Sequence, residues 1–271
     1  MTVLLPLHVH HMRAAGLARR TIRDRTLFLT RADKDLPRGI DTPTADELAE
    51  FLGNETWAPW TRCTYFNHIA GFYLWATTSG HIDWNPTLSL KRPKTPDADP
   101  DPVTDDELAQ AIARSNDWWR LAITCAAYAG LRASEIGRLA REQVNAEFLT
   151  VRMGKGGKTK KLPTHPEIWK LVEPSPPGPL FVGPRGGRVD LTKTEHTHFV
   201  SIGMPDVHMH RFRSWYATTL LRQGADVRVV QELLRHATLG SVQRYTLVVD
   251  GQRRFAVGTL PVPTASQQDA A

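Results

Sequence analysis

Beyond residue 130, this 271-residue chain carries two arginines, a lysine, two histidines and a tyrosine whose joint chemistry suits phosphoryl transfer. Arg132 follows a Gly-Leu in "YAGLRASEIGRL" and opens a predicted helix, with Glu135 one turn later. Lys155 sits in the Gly- and Lys-rich "MGKGGKTKKLP". His210 and Arg213 are i and i+3 in "HMHRFRSWYATTLL", so one helical face carries both. His236 stands nine residues before Tyr245 in "LLRHATLGSVQRYT". Each arginine offers a planar fork to the nonbridging oxygens of a phosphodiester. A lysine donates a proton, histidines donate or relay hydrogen bonds, and a tyrosine hydroxyl is a covalent nucleophile type. No carboxylate cluster or Cys/His cage is spaced to hold a metal, so charge stabilisation falls to the arginines.

Taken singly, each piece admits a plainer reading. Arg132 alone reads as a snorkelling surface side chain sooner than as a buried phosphate clamp, and Glu135 also reads as an exposed helix carboxylate. The histidines fit core or surface positions, and Tyr245 fits an ordinary half-buried tyrosine. Gly157-Lys158-Thr159 resembles the end of a phosphate-binding loop, but Arg152 stands where its first glycine belongs. Pro163 also falls where the following helix would propagate. The apolar, β-branched run before the glycines makes the segment a β-hairpin with Lys155 at its turn. "HVHHM" (His8, His10, His11) and "HMH" (His208, His210) would suit a metal if extended, yet no carboxylate or cysteine lies beside them at ligand spacing. His208 competes with His210, and the i, i+3 relation to Arg213 favours His210.

The elements that must hold these groups follow from composition and pattern. Lys+Arg 34 against Asp+Glu 28, with a formal charge of +6, favours a polyanionic partner such as nucleic acid. Two cysteines, Cys63 and Cys125, with no C-x-x-C, suit a reducing compartment. No apolar run reaches about 18 residues and no signal-peptide pattern opens the chain, so a soluble cytoplasmic protein without a membrane partner is expected. "KRPKTPDADPDPV", Lys91 to Val103, holds four prolines and almost no apolar content, which marks a linker. The expected organisation is a helical domain over 1–90, a linker over 91–103, a second domain over 104–260 and a flexible tail over 261–271. Capping boxes at Thr44/Glu47 and Thr104/Glu107 predict helix starts. "LARRTIRDRTLFLTRAD" and "TRCTYFNHIAGFYLWATTSGHI" predict two further helices. The hairpin and a third strand, "PLFVG", are expected to make a small antiparallel sheet. The fold class is therefore mainly α with a small antiparallel β-sheet, in two domains.

The order Arg, Lys, His-x-x-Arg, His, Tyr resembles the tyrosine recombinase family of phage integrases and Xer-type recombinases. The family's six catalytic positions map onto Arg132, Lys155, His210, Arg213, His236 and Tyr245. "GLARRTI" and "GHIDWNP" resemble its helical core-site-binding domain, so the likeness spans nearly the whole chain. Ser214 stands where a second histidine commonly follows the arginine, and Arg235 where a glycine commonly precedes the second histidine. Neither is one of the six, so these departures bear on local packing. The resemblance implies an α+β catalytic domain after the helical core-binding domain.

It also implies a mechanism. Tyr245 attacks a DNA phosphate to form a 3′-phosphotyrosine, Lys155 protonates the leaving 5′-oxygen, and Arg132 and Arg213 stabilise the pentacovalent transition state. His210 acts as base, His236 bonds the phosphate and Glu135 orients its neighbours. The bond energy stays in the intermediate, so no cofactor is needed. Arg19, Arg20, Arg23, Arg62, Lys91, Arg92, Lys158 and Lys160 are expected to meet DNA phosphates, making affinity salt-dependent. The implied partners are double-stranded attachment sites, a homotetramer on two duplexes and an accessory directionality factor, in the nucleoid of a bacterial host. The pattern fits a minimal integrase without an arm-site domain. Xer-like dimer resolution, conjugative-element transposition, a type IB topoisomerase and an inactive DNA-binding regulator are the alternatives. The terminal "QDAA" is read as a signal for a protease such as ClpXP.

Overall fold

The computed structural model describes residues 2–95, 100–152, 159–183, 186–187 and 189–235. Lys155, Lys158, His236, Tyr245 and the tail expected over 261–271 lie outside the described residues. The chain divides into two compact units, Met1–Asp97 and Ala98–Ala271.

In the first unit, α1 (Leu4–Ala14), α2 (Arg19–Asp35), α3 (Ala45–Leu52) and α4 (Pro59–Thr78) precede a 3₁₀ turn at Pro86–Ser89. Helix α4 lends the core Phe66, Ile69, Phe72, Tyr73 and Ala76, against Leu29 of α2 and Leu48 of α3. Helix α3 starts at a complete capping box: Thr44 N–H donates to Glu47 Oε2 (2.7 Å) and Glu47 N–H to Thr44 Oγ1 (3.2 Å). The buried Tyr73 hydroxyl donates to the Ile40 carbonyl at 2.7 Å. The histidine-rich start is helical, which corrects the extended reading of "HVHHM". Leu5, His8 and Met12 share its buried face at helical spacing. The His8 ring lies 4.7 Å from Trp75 and 5.3 Å from Phe72. Burial, then the charges of His11 and Arg25, lowers its pKa to about 4, so His8 is a neutral core residue.

The second unit is built around α6 (Asp117–Ala129), which follows α5 (Asp105–Arg114). Asn116 caps α6 by accepting from Trp119 N–H at 2.9 Å, and nine of its residues are buried. Next come the short α7 (Ala133–Ile136), strands β1 (Phe148–Arg152) and β2 (Thr159–Pro163), α8 (Pro166–Val172), α9 (Leu191–Ser201), α10 (Met209–Arg222) and α11 (Val227–Leu234). Helices α5, α8 and α10 all pack on α6. The strands pair antiparallel with Leu149 opposite Leu162 and Val151 opposite Lys160. Leu149, Val151 and Leu162 turn into the core, as a period of two requires. The third strand expected at "PLFVG" does not join them. Pro179 makes one isolated bridge to Ala140, and Leu180 N–H donates to Leu139 O at 2.9 Å. Pro174, Pro176, Pro177 and Pro179 have no N–H to donate, so no ladder propagates through this run. No helix among the described residues is long and apolar enough to cross a membrane.

Gly130 ends α6 in the left-handed region with φ 57°. A Cβ there would lie 2.6 Å from Tyr216 Cδ1 and 3.1 Å from Leu234 Cδ2. Gly130→Ala is therefore expected to cost about 2 kcal/mol or more, combining left-handed strain with overpacking. A lower urea midpoint at unchanged m-value would show it; an unchanged midpoint would contradict it.

Candidate active site

Arg132 is the N-cap of α7, in extended conformation immediately after the end of α6. Its backbone N–H donates to Glu135 Oε2 at 2.9 Å and its Nη1 to Glu135 Oε1 at 3.0 Å. The Arg132 side chain is 41% exposed, whereas that of Glu135 is 9% exposed. The reading of Glu135 as an exposed helix carboxylate is thus corrected: its oxygens turn inward to Arg132 and Arg235. Burial alone would push its pKa up. The Arg235 charge, the Arg132 N–H bond and the charges of Arg132 and Arg213 outweigh that and hold it below the usual carboxylate value.

Arg213 lies on α10 and is only 1% exposed. Its Nη1 donates to the Gly130 carbonyl, and its Nη2 to the Leu234 carbonyl at 2.7 Å. Both arms of this guanidinium therefore hold backbone. Arg235 completes the group. Its Nη2 reaches Glu135 Oε2 at 2.7 Å and the Gly130 carbonyl at 3.0 Å, while its Nη1 donates to Leu233 O at 2.9 Å. Among the described residues Arg235 is the only non-glycine with positive φ, at 57°. A side chain in that region costs roughly 1–2 kcal/mol that a glycine would not. Burial lowers its pKa, with Glu135 opposing.

Helix α10 is anchored at its start. Met209 N–H donates to Glu195 Oε2 at 2.7 Å. Arg211, only 11% exposed, pairs with Asp101 at 3.0 Å and with Glu107 at 3.2 Å. Glu107 is also the capping-box acid of α5, so one carboxylate serves two helix starts. Trp215 Nε1 donates to Asp105 Oδ1 at 2.6 Å. His210 is exposed on the first turn of α10, and Arg213 is buried one turn on. His208 is the exposed N-cap. Ser214 is buried beside Arg213 in sequence.

The structure thus gathers Arg132, Glu135 and Arg213 at the end of α6. Lys155, His236 and Tyr245 fall outside the described residues. Sequence reasoning missed Arg211 and the bonding of Arg235. A signal for Arg235 was present: an arginine where the resembled pattern favours glycine needs a reason to be there. In the first unit, Arg19, Arg20 and Arg23 are exposed on the opening turns of α2, and Lys91 and Arg92 are exposed after the 3₁₀ turn. Arg20 and Arg23 share one acidic neighbour, Asp24, at 3.7 and 3.5 Å, which leaves net positive charge. Arg62 is half-buried with Nη2 donating to Trp57 O at 3.4 Å. Lys160 on β2 lies 3.9 Å from Glu232, an exposed pair that costs little to separate. No group of three His, Cys, Asp or Glu side chains is placed to hold a metal among the described residues.

Comparison with known proteins adds to this geometry. The sequence profile of the phage integrase family matches residues 189–251. The chain is 33% identical over 232 residues to tyrosine recombinase XerC of Rhodospirillum centenum, covering 77% of this chain and 67% of that protein. It is 30% identical over 259 residues to a tyrosine recombinase of Thermosipho africanus, covering 88% of this chain and 90% of that protein. A lambda integrase dimer bound to a COC′ core site shares the fold with a TM-score of 0.74 at 16% identity, over 97% of this chain and 79% of that one.

Because the folded pKa of Glu135 is depressed, its contribution to stability is present above the unfolded value, about pH 4.3, and is lost as pH falls through the folded pKa. Urea midpoints measured from about pH 6 to about pH 3 should fall more steeply for wild type than for Glu135→Gln. Parallel curves would remove Glu135 from the linkage.

Proposed function

Because the chain belongs to the tyrosine recombinase family, we propose that it is a phage- or prophage-type integrase that inserts or excises a mobile element. The enzyme class is a tyrosine-type site-specific recombinase. The observation that carries the chemistry is the convergence of Arg132 and Arg213 on the end of α6, tied through Glu135, Gly130 and Arg235. Arg132 is half exposed, and only its Nη1 is bonded to a protein side chain among the described residues. That exposure supports a contact from this guanidinium to a phosphate oxygen. Arg213 adds charge from beneath while fixing the two carbonyls around which the site is built.

In the proposed reaction the Tyr245 oxygen attacks the scissile phosphorus. The phosphorus–5′-oxygen bond breaks, Lys155 delivers a proton to that oxygen, and a 3′-phosphotyrosine remains. A free tyrosine has a pKa of about 10, so His210 assists its deprotonation. His236 bonds the phosphate. The 5′-hydroxyl of a second duplex then displaces the tyrosine, and no ATP is consumed. The partners are paired attachment sites held by a homotetramer on two duplexes, with an accessory factor setting direction. The exposed arginines of α2, with Lys91 and Arg92, supply phosphate contacts. That lambda integrase, which shares this fold, was solved on a core site supports a duplex partner. The relatives named XerC support a second reading, Xer-type resolution between two copies of one site.

Two assays decide. A nicked half-site substrate should trap an SDS-resistant protein–DNA adduct with wild type and none with Tyr245→Phe; an adduct that survives would sink the nucleophile assignment. Lys155→Ala should slow adduct formation by about 10²–10³-fold with DNA binding retained. On supercoiled plasmids, recombination that requires two different sites supports the integrase reading. Efficient recombination between two identical sites would replace it with the Xer-type reading.

A further inference from the structure

Arg235 is constrained in both backbone and side chain, and none of the six mapped positions includes it. Its backbone is left-handed, its side chain is 0% exposed, and its Nε has no partner among the described residues. Glycine would take this backbone freely and bury no charge. The arginine is therefore a poor choice for folding alone, and its bonds show what it does. It donates to Glu135, the carboxylate that holds Arg132, and to Gly130 O, the carbonyl that holds Arg213.

We propose that Arg235 is a positioning residue that locks Arg132 and Arg213 into one rigid unit. The inference rests on the reading above, in which those two arginines stabilise the transition state. Three guanidiniums against one carboxylate leave the cluster at 3 − 1 = +2, a preorganised positive field where phosphate charge develops. A planar fork is needed because one group must reach a carboxylate and two carbonyls at once, which a single ammonium does less well. Without Arg235, Glu135 is left with Arg132 as its directly bonded cation, and the carboxylate can follow the half-exposed Arg132 side chain outward.

The test uses the full-length protein with Arg235→Gly and Arg235→Lys, read on the nicked half-site substrate. Arg235→Gly should keep the fold and bind DNA as wild type does. Its adduct formation should fall by about 10²-fold, the scale expected when a reacting group is misplaced by about 1 Å. The acid limb of its pH–rate profile should move to higher pH. Among the described residues, the charged and titratable groups around Glu135 are Arg132, Arg213 and Arg235, with the Tyr216 hydroxyl near the two buried arginines, and Arg235 is the strongest of the charges. Arg235→Lys should restore part of the rate and return the acid limb toward wild type. A wild-type rate and pH profile in Arg235→Gly would overturn the proposal. So would loss of DNA binding together with cleavage in Arg235→Gly alongside a wild-type rate and acid limb in Arg235→Lys, which marks a folding role only. If Arg235→Gly does not fold, Arg235→Lys decides: a reduced rate with the acid limb displaced to higher pH and binding retained supports the proposal, and a wild-type rate and limb overturn it. Arg132→Ala and Arg213→Ala run in parallel separate the two ideas. If both cleave normally, the transition-state reading fails; if both fail while Arg235→Gly cleaves normally, only the present inference fails.

Discussion

Two buried guanidiniums must find acceptors at the end of α6, and the ends of α6 and α11 supply them. A buried cation without partners is among the costliest features a protein can carry. Arg213 and Arg235 meet that demand largely with backbone: Gly130 O at the end of α6, and Leu233 O and Leu234 O at the end of α11. Those carbonyls are helix-terminal groups with no intrahelical donor, and they sit at the negative ends of two helix dipoles. The same contacts therefore satisfy orphan acceptors and stabilise buried positive charge. Glu135 is the one carboxylate in the cluster, and it binds Arg132 through both side chain and backbone. Gly130 matters for the same reason, since any side chain there would displace Tyr216 and with it the carbonyl on which two arginines converge.

Much of this frame was legible from sequence, and the reasons are local. Thr44 with Glu47 and Thr104 with Glu107 are capping boxes whose bonds form within four residues, so residue type alone placed two helix starts. The apolar, β-branched run from Phe148 placed β1, and the glycines after it announced a hairpin. Arg132 as the opening residue of a helix followed from the glycine before it. What escaped was decided by tertiary contact. "PLFVG" has strand composition, but the prolines ahead of it deny it a ladder. "HVHHM" alternates like a strand, yet Leu5 and Met12 give it a helical stripe that packs on α4. For Glu135 an orienting role was expected, but the partner that closes over it, Arg235, lies one hundred residues on.

The first unit shows a different use of arginine. At Arg19, Arg20 and Arg23 of α2 the guanidiniums stay in solvent, and the one acid beside Arg20 and Arg23, Asp24, is shared, which leaves excess positive charge. Exposed pairs of this kind are weak and screened by salt, so they give way readily to a polyanion. In the second unit Arg213 and Arg235 are desolvated and fixed. One side-chain type thus supplies a yielding electrostatic surface in one unit and a rigid charge framework in the other, and burial sets the difference.

The double engagement of Glu107 has a mechanical consequence. Its carboxylate closes the first turn of α5 and also receives Arg211 from the first turn of α10. A slide of α10 along its axis would uncap α5, and fraying of α5 would release the start of α10. The two helix starts therefore behave as a single strut, and the exposed imidazole of His210 rides on it. Any adjustment of that ring toward a bound backbone must come from its own rotamers, with the helix beneath it held as a fixed abutment.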